Sequence, residues 1–321
     1  MRNPADSSLR LGLIAPKNSA AEVRWLLGYL RHVHGEPYHR GGAYDLVWFL
    51  NVTEELRFLR ANTDTKAFVV GMEPRYRYPL NYESGLLCLA DVYSGYRNFA
   101  GITFRGRYEP FTFAVYPRAM MRAEMPVSMA SARDLDFCIF ATHDPNIRQQ
   151  IAASIARYPS IAAGPLFGQR VEQKLLLQRR SRYEFITEND INDYYFSEKL
   201  GESLVAGCVP IYYGCTAIKA HVPASLFIDM HDFLGPDSLP DIGRVIEHCL
   251  KPGVYARYRT AIERDAMDML VGRFSLEGCL IEPVQRYIDE LRAQCWSAER
   301  RSWAWRCWAL RVAAKRVIDR G

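Results

Sequence analysis

One run constrains this chain more than any other, Tyr183 to Phe233, with the sequence YEFITENDINDYYFSEKLGESLVAGCVPIYYGCTAIKAHVPASLFIDMHDF. Its pattern predicts strand, polar loop, helix, strand, loop and strand, which is the plan of a nucleotide-binding α/β unit. The loop carries Glu188, Asn189, Asp190 and Asn192, followed by Tyr195, and the helix opens near Ser197 with Glu198 and Lys199 in its first turn. Polar groups thus gather where a strand hands over to a helix. In open α/β sheets that place is the crevice at the carboxyl ends of the strands, and the unpaired N–H groups of a helix start favour a phosphate there. Tyr195, Glu198 and Lys199 stand at i, i+3 and i+4, so one helical face could present all three. Without a ligand, Glu198 would simply complement the helix dipole and Lys199 would be a surface charge. Gly207 is placed to close the helix, and Pro210 sits near the start of the strand Val209 to Tyr213, where it does not interrupt pairing.

The rest of the chain repeats this grammar. Leu11 to Ala15, Tyr44 to Leu50 and Ala67 to Val70 read as strands, separated by helical patterns at Ser19 to His34 and Glu54 to Arg60, and alternation of this kind argues for a parallel sheet. Leu86 to Asp91 and Phe111 to Tyr116 are further predicted strands. After Pro117 the stretch RAMMRAEMPVSMASARD loses apolar periodicity, and residues 118–134 are expected to be a linker. Strand Asp136 to Phe140, loop Ala141 to Asn146 and helix Ile147 to Tyr158 open a second half, which ends in predicted helices at Leu239 to Leu250, Val254 to Val271 and Ser275 to Gln294. With 321 residues, the chain is long enough for two domains of roughly 150 residues each. The expected division is 1–117 for the first domain, 118–134 for the linker, 135–294 for the second domain and 295–321 for a tail.

The central run resembles the donor-binding motif of glycosyltransferase family 10, the α-1,3/4-fucosyltransferases, in their bacterial form. Glu188-Asn189, Tyr195 six residues beyond Asn189, Ser197-Glu198-Lys199, Val209-Pro210-Ile211 and His231-Asp232-Phe233 keep the family's order and spacing. Thr187, Asp190 and Ser197 replace its Phe, Ser and Thr. Phe137 to Phe140 with the loop that follows is similar to a second family segment, in which an Arg reaches the donor diphosphate; the matching residue is Arg148. An Arg at a helix start is poorly placed against the dipole unless an anion sits there, and a guanidinium can hold a phosphate through two parallel bonds. The alternative is an Arg solvated on a helix face. Asp91 to Arg97 resembles a third segment.

The resemblance implies an α/β fold of two Rossmann-like domains facing across a cleft (GT-B type) and an inverting transfer, most simply of fucose from GDP-fucose to a glycan hydroxyl. It implies donor binding by Arg148, Glu188, Asn189, Tyr195, Glu198 and Lys199. A general base on a first-domain Glu falls to Glu73, just past a strand end in Gly71-Met72-Glu73-Pro74; the plainer reading is a surface carboxylate paired with Arg75 or Arg77. No metal or further cofactor is expected, since cationic side chains would meet the departing diphosphate and the triplet Asp134-Leu135-Asp136 enters a strand instead of leaving one. The alternatives are a same-fold glycosyltransferase using another nucleotide sugar, or a non-catalytic nucleotide-sugar-binding or membrane scaffold protein.

Eight cysteines occur with no Cys-x-x-Cys pair and no Cys/His cluster at zinc spacing, so scattered thiols in a reducing compartment are expected. The apolar run Leu11 to Pro16 is too short for the core of a signal peptide, and no stretch has the length of a spanning helix, which predicts a cytoplasmic protein. Formal charge is only +5, and its excess lies in the tail, where Arg300, Arg301, Arg306, Arg311, Lys315, Arg316 and Arg320 interleave with Trp296, Trp303, Trp305 and Trp308. Such a segment suits an anionic membrane surface, with packing on the first domain as the alternative. No nucleic-acid motif accompanies the charge. A bacterial surface glycan such as lipopolysaccharide would fit a cytoplasmic enzyme with a membrane-seeking tail.

Overall fold

The structure is a computed structural model that describes residues 8–14, 20–51, 54–71, 87, 89–95, 107–110, 116–143 and 147–293. Two compact units divide it. The first comprises residues up to Thr112 together with the segment that begins at Glu277, and the second is Phe113–Leu276.

In the first unit the strands β1 (Leu9–Ile14), β2 (Val33–Pro37), β3 (Leu46–Leu50), β4 (Lys66–Gly71), β5 (Val92–Gly95) and β6 (Arg107–Pro110) form one sheet in the order β2-β1-β3-β4-β5-β6. Every neighbouring pair is parallel. All residues of β3 and β4 are buried, the near-continuous apolar run expected of a parallel strand covered on both faces. Helices α1 (Ala20–Leu27) and α2 (Glu55–Asn62) make the crossovers, α2 through buried Leu56 and Leu59.

The second unit holds β7 (Leu135–Phe140), β8 (Ser160–Ala163), β9 (Ser181–Thr187), β10 (Val209–Tyr213) and β11 (Ile228–Asp229) in the order β11-β10-β9-β7-β8, again all parallel. Its helices are α3 (Arg118–Ala130), α4 (Arg148–Ile155), α5 (Lys174–Arg180), α6 (Glu198–Val205), α7 (Ile242–Leu250) and α8 (Val254–Arg273). After β7 the chain first adds β8 on one side and then returns to place β9 on the other. The strand order therefore reverses between β7 and β9, and the crevice of this sheet opens at their carboxyl ends.

Several expectations are corrected. The stretch read as a linker is mostly helix α3 within the second unit, because Met121 and Met125, at i and i+4, are buried at 0% and 3% exposure together with Ser128. Soft and small residues make up its core face, so its apolar period is faint, and Pro126 is accommodated inside the helix. The second domain does not extend to 294. From Glu277 the chain rejoins the first unit, where α9 (Glu282–Ala293) buries Val284, Tyr287 and Ile288, with the Tyr287 ring 5.9 Å from that of Phe68 on β4. The first helix stops at Leu27 and gives way to β2, past His32 in a left-handed conformation (φ 63°). Residues 89–91 form a turn leading into β5, not a strand; Leu89 and Ala90 are buried all the same. Phe111 to Val115 lie outside the described residues.

Candidate active site

The site grows from the carboxyl edge of the second sheet. Strand β9 ends at Thr187, and Glu188 continues its ladder by donating its N–H to the Tyr213 carbonyl at the end of β10 (2.9 Å). The chain then turns on Asn192, whose Oδ1 accepts the N–H groups of Tyr194 (3.0 Å) and Tyr195 (2.7 Å), an Asx turn. Ser197 is the extended N-cap of α6, but its hydroxyl makes no cap bond. Instead the Ser197 N–H and Oγ both donate to the Glu188 carboxylate, at 2.8 Å to Oε1 and 2.8 Å to Oε2 respectively. Lys199 completes the cluster with its Nζ 2.8 Å from Glu188 Oε2 and 3.1 Å from Ser197 Oγ. Glu188 is wholly buried, whereas the Lys199 side chain keeps 21% exposure.

Across the strand-order reversal, Arg148 begins α4 and is 3% exposed. Its Nε donates to Thr187 Oγ1 (2.5 Å), Nη1 to the His143 carbonyl (2.5 Å), and Nη2 to the Thr187 carbonyl (2.7 Å) and Asn189 Oδ1 (2.8 Å). One guanidinium therefore ties the loop after β7 to the loop after β9. Its charge stands beneath the crevice, neither solvated on a helix face nor extended outward. Burial pushes the Glu198 carboxyl above the usual range, against the opposing charge of Lys199, with Glu202 and Glu188 adding to the rise.

The structure thus brings Arg148, Glu188, Asn189, Glu198 and Lys199 to one edge. Tyr195 is buried, at 3% exposure, and precedes the helix, so the shared helical face expected for Tyr195, Glu198 and Lys199 is not formed; the Asx turn and the extended Ser197 break the helical spacing. Glu188 faces inward to Ser197 and Lys199. Glu73 and the tail from Cys295 onward lie outside the described residues.

Sequence reasoning assigned no role to Thr187, His143 or Asn192, whose contributions are made through carbonyls, a hydroxyl and a turn. It also passed over Lys219, in the short 3-10 helix Ile218–Ala220 between β10 and β11, whose ammonium meets the end of β11. There Asp229 accepts from His231 Nδ1 (2.8 Å) and pairs with Lys219 (3.0 Å), which also reaches Asp232 (2.8 Å). Burial alone would raise the Asp229 carboxyl, but the bonds from His231 and Lys219 outweigh it and hold the group below its ordinary value.

Among the described residues the group with ligand atoms close enough for a metal is Cys138, Glu184 and Cys208, within 4.8 Å of one another and all buried. These atoms already have protein partners: Cys208 Sγ donates to the Gln178 carbonyl (2.8 Å), and Glu184 accepts from Gln178 Nε2 (2.8 Å) with Lys174 at 3.9 Å. Cys138, Cys208, Cys215, Cys249 and Cys279 are buried free thiols, and burial pushes that of Cys215 up to about 11. No helix among the described residues is long and apolar enough to cross a membrane.

Two parallel-sheet α/β units, one with charged groups converging on its strand-order reversal, define the GT-B class of fold, and solved structures bear this out. The chain is similar to an alpha1,3-fucosyltransferase crystal structure (TM-score 0.58, 15% identity, 91% of this chain and 92% of that one). It is also similar to Anabaena Alr3699/HepE in complex with UDP-glucose (TM-score 0.52, 12% identity, 89% and 99%). At these identities the likeness is one of fold.

Within that class, residues 138–259, the greater part of the second unit, match Glycosyltransferase family 10 (fucosyltransferase) C-term. Over 80 residues the chain is 35% identical to 4-galactosyl-N-acetylglucosaminide 3-alpha-L-fucosyltransferase 9 of Mus musculus, and the rat counterpart matches equally. That match spans 24% of this chain and 22% of the relative's length.

Proposed function

We propose that this chain is an inverting glycosyltransferase that moves fucose from GDP-fucose to a hydroxyl of a glycan acceptor by single displacement. The observation that carries the reading is the placement of Lys199 and the start of α6 beside the strand-order reversal, with Arg148 below it, inside the stretch that matches the fucosyltransferase family. A departing nucleoside diphosphate gathers negative charge. An ammonium, a buried guanidinium and the N–H groups of a helix start, all fixed before the reaction, stabilise that charge without reorganising. In this proposal Glu198 serves the ribose hydroxyls, and Glu73 takes the acceptor proton as the hydroxyl attacks the anomeric carbon. These side chains provide the positive charge that leaving-group departure requires, so the proposal includes no metal.

A second reading, the same reaction with another nucleotide sugar, is favoured by the fold shared with the UDP-glucose-bound HepE structure. Calorimetric titration with GDP, GDP-fucose, GDP-mannose and UDP-sugars decides between them, followed by GDP release with each donor. Selective binding of GDP-fucose is the expected result. Binding confined to UDP species would select the second reading, and no binding of any nucleotide would remove both. In turnover, Glu73→Gln is expected to lower the transfer rate by about 10²-fold or more with little change in donor affinity; an unchanged rate would reassign the base.

The proposal extends to the location of the reaction. A cytoplasmic enzyme whose Trp- and Arg-rich tail rests on anionic lipid would meet a lipid-linked acceptor. Removing residues 295–321 should then abolish sedimentation with anionic liposomes, and undiminished sedimentation would refute that role for the tail.

A further inference from the structure

Glu188 is drawn into the site by sequence yet shows no surface to a ligand. We propose that Glu188 is a positioning residue that fixes the Lys199 ammonium at the diphosphate site, and that position 214 is glycine to leave Glu188 its place. The inference rests on the reading of this edge as a nucleoside-diphosphate site. A wholly buried carboxylate persists only when its oxygens are met by donors. Here the Ser197 N–H, the Ser197 hydroxyl and Lys199 Nζ supply them.

This arrangement has two consequences for an anion. Lys199 is anchored by Glu188 and Ser197 together, so the ordering of its long side chain takes place on folding instead of on binding. The Ser197 hydroxyl is engaged as a donor and makes no cap to α6, so it does not compete with a ligand for the first N–H groups of that helix.

The second observation comes from Gly214, the residue just past β10. A Cβ at Gly214 would lie 2.4 Å from Glu188 Cγ, 2.8 Å from Glu188 Cβ and 2.7 Å from the Tyr212 hydroxyl. Neither neighbour can easily give way. The Tyr212 hydroxyl accepts the Cys215 N–H (3.0 Å), and the Glu188 backbone is tied to Tyr213. Any side chain at 214 therefore pushes the carboxylate off Ser197 and Lys199.

The test is GDP affinity by calorimetry on the full chain, for wild type, Glu188→Gln, Lys199→Met, the double variant and Gly214→Ala, with circular dichroism to establish folding. Lys199→Met should weaken GDP by about tenfold to a hundredfold, the range of one charge-assisted contact. Glu188→Gln should weaken it by a similar factor, because its amide offers one acceptor oxygen to three donors and no charge to hold the ammonium. The double variant should be no weaker than Lys199→Met alone, a non-additivity that a merely structural Glu188 would not produce. Gly214→Ala, which keeps both charges, should reproduce the Glu188→Gln loss and decides the matter if Glu188→Gln does not fold. Wild-type affinity in folded Glu188→Gln or Gly214→Ala, alongside a weakened Lys199→Met, would overturn the positioning role. Wild-type affinity in Lys199→Met would overturn the diphosphate reading itself.

Discussion

Glu198 shows how a single carboxylate at this edge is set against the stability of the fold. Burial raises it, so the unfolded chain releases its proton near the ordinary value of about 4.3 while the folded chain holds on until higher pH. Folding stability from this group falls as pH rises across that interval and stays lower above it. Glu198→Gln should therefore melt above wild type at pH 7, and the gain should vanish at pH 4, where wild type is also protonated. A gain independent of pH would show that burial of charge is not its cause. At this scale the sequence located the cluster but not its orientation. Residue type and order drew attention to Glu188 and Lys199, because a strand-to-helix loop rich in charge is visible without coordinates, whereas Arg148 was named through the family resemblance. That Glu188 points inward, and that Arg148 bonds to carbonyls, depends on the Asx turn at Asn192 and on the approach of the β7 and β9 loops, neither of which leaves a local signature.

Among the elements, the segment least legible in sequence holds much of the second unit together. Arg133 follows α3, in the stretch read as a linker. Its Nη1 donates to the Gln178 and Ser181 carbonyls (both 3.0 Å), and its Nη2 to those of Ser128 (2.8 Å), Ala206 (2.9 Å) and Gly207 (3.1 Å). The carbonyl ends of α3, α5 and α6 thus share one cation, which opposes three helix dipoles at once. Gly207 turns there at φ 66°, and a Cβ on it would meet Arg133 at 2.7 Å. Arg133→Met should cost about 2–4 kcal/mol in denaturant unfolding, since several buried carbonyls lose a charged donor together; a loss below about 0.5 kcal/mol, the level of an ordinary surface change, would contradict the clamp. In the first unit Asp91 accepts from Arg60, Lys66 (3.3 Å) and the Ala67 N–H (2.8 Å), tying α2 and β4 to the start of β5. Asp91→Ala leaves two largely buried cations without it and should cost about 3–5 kcal/mol. Urea unfolding measures it, and a loss under about 1 kcal/mol would show that water replaces the carboxylate.

For the whole molecule, two parallel sheets were legible because apolar strands alternate with helical segments, and β7, β9 and β10 fall nearly where periodicity puts them, whereas the short β8 was not read as a strand. The unit boundaries were not. Helix α3 hides its core face in methionines, and α9 belongs to the first unit although it follows the second in sequence, a long-range choice no local pattern encodes. The proposed function requires a nucleoside diphosphate to bind at the carboxyl ends of β7 and β9, and crystals grown with saturating GDP would reveal where it sits. The predicted result is diphosphate density within hydrogen-bonding distance of Lys199 Nζ and the first N–H groups of α6. Density for GDP in the first unit, or at any edge of the second sheet remote from Lys199, would contradict it.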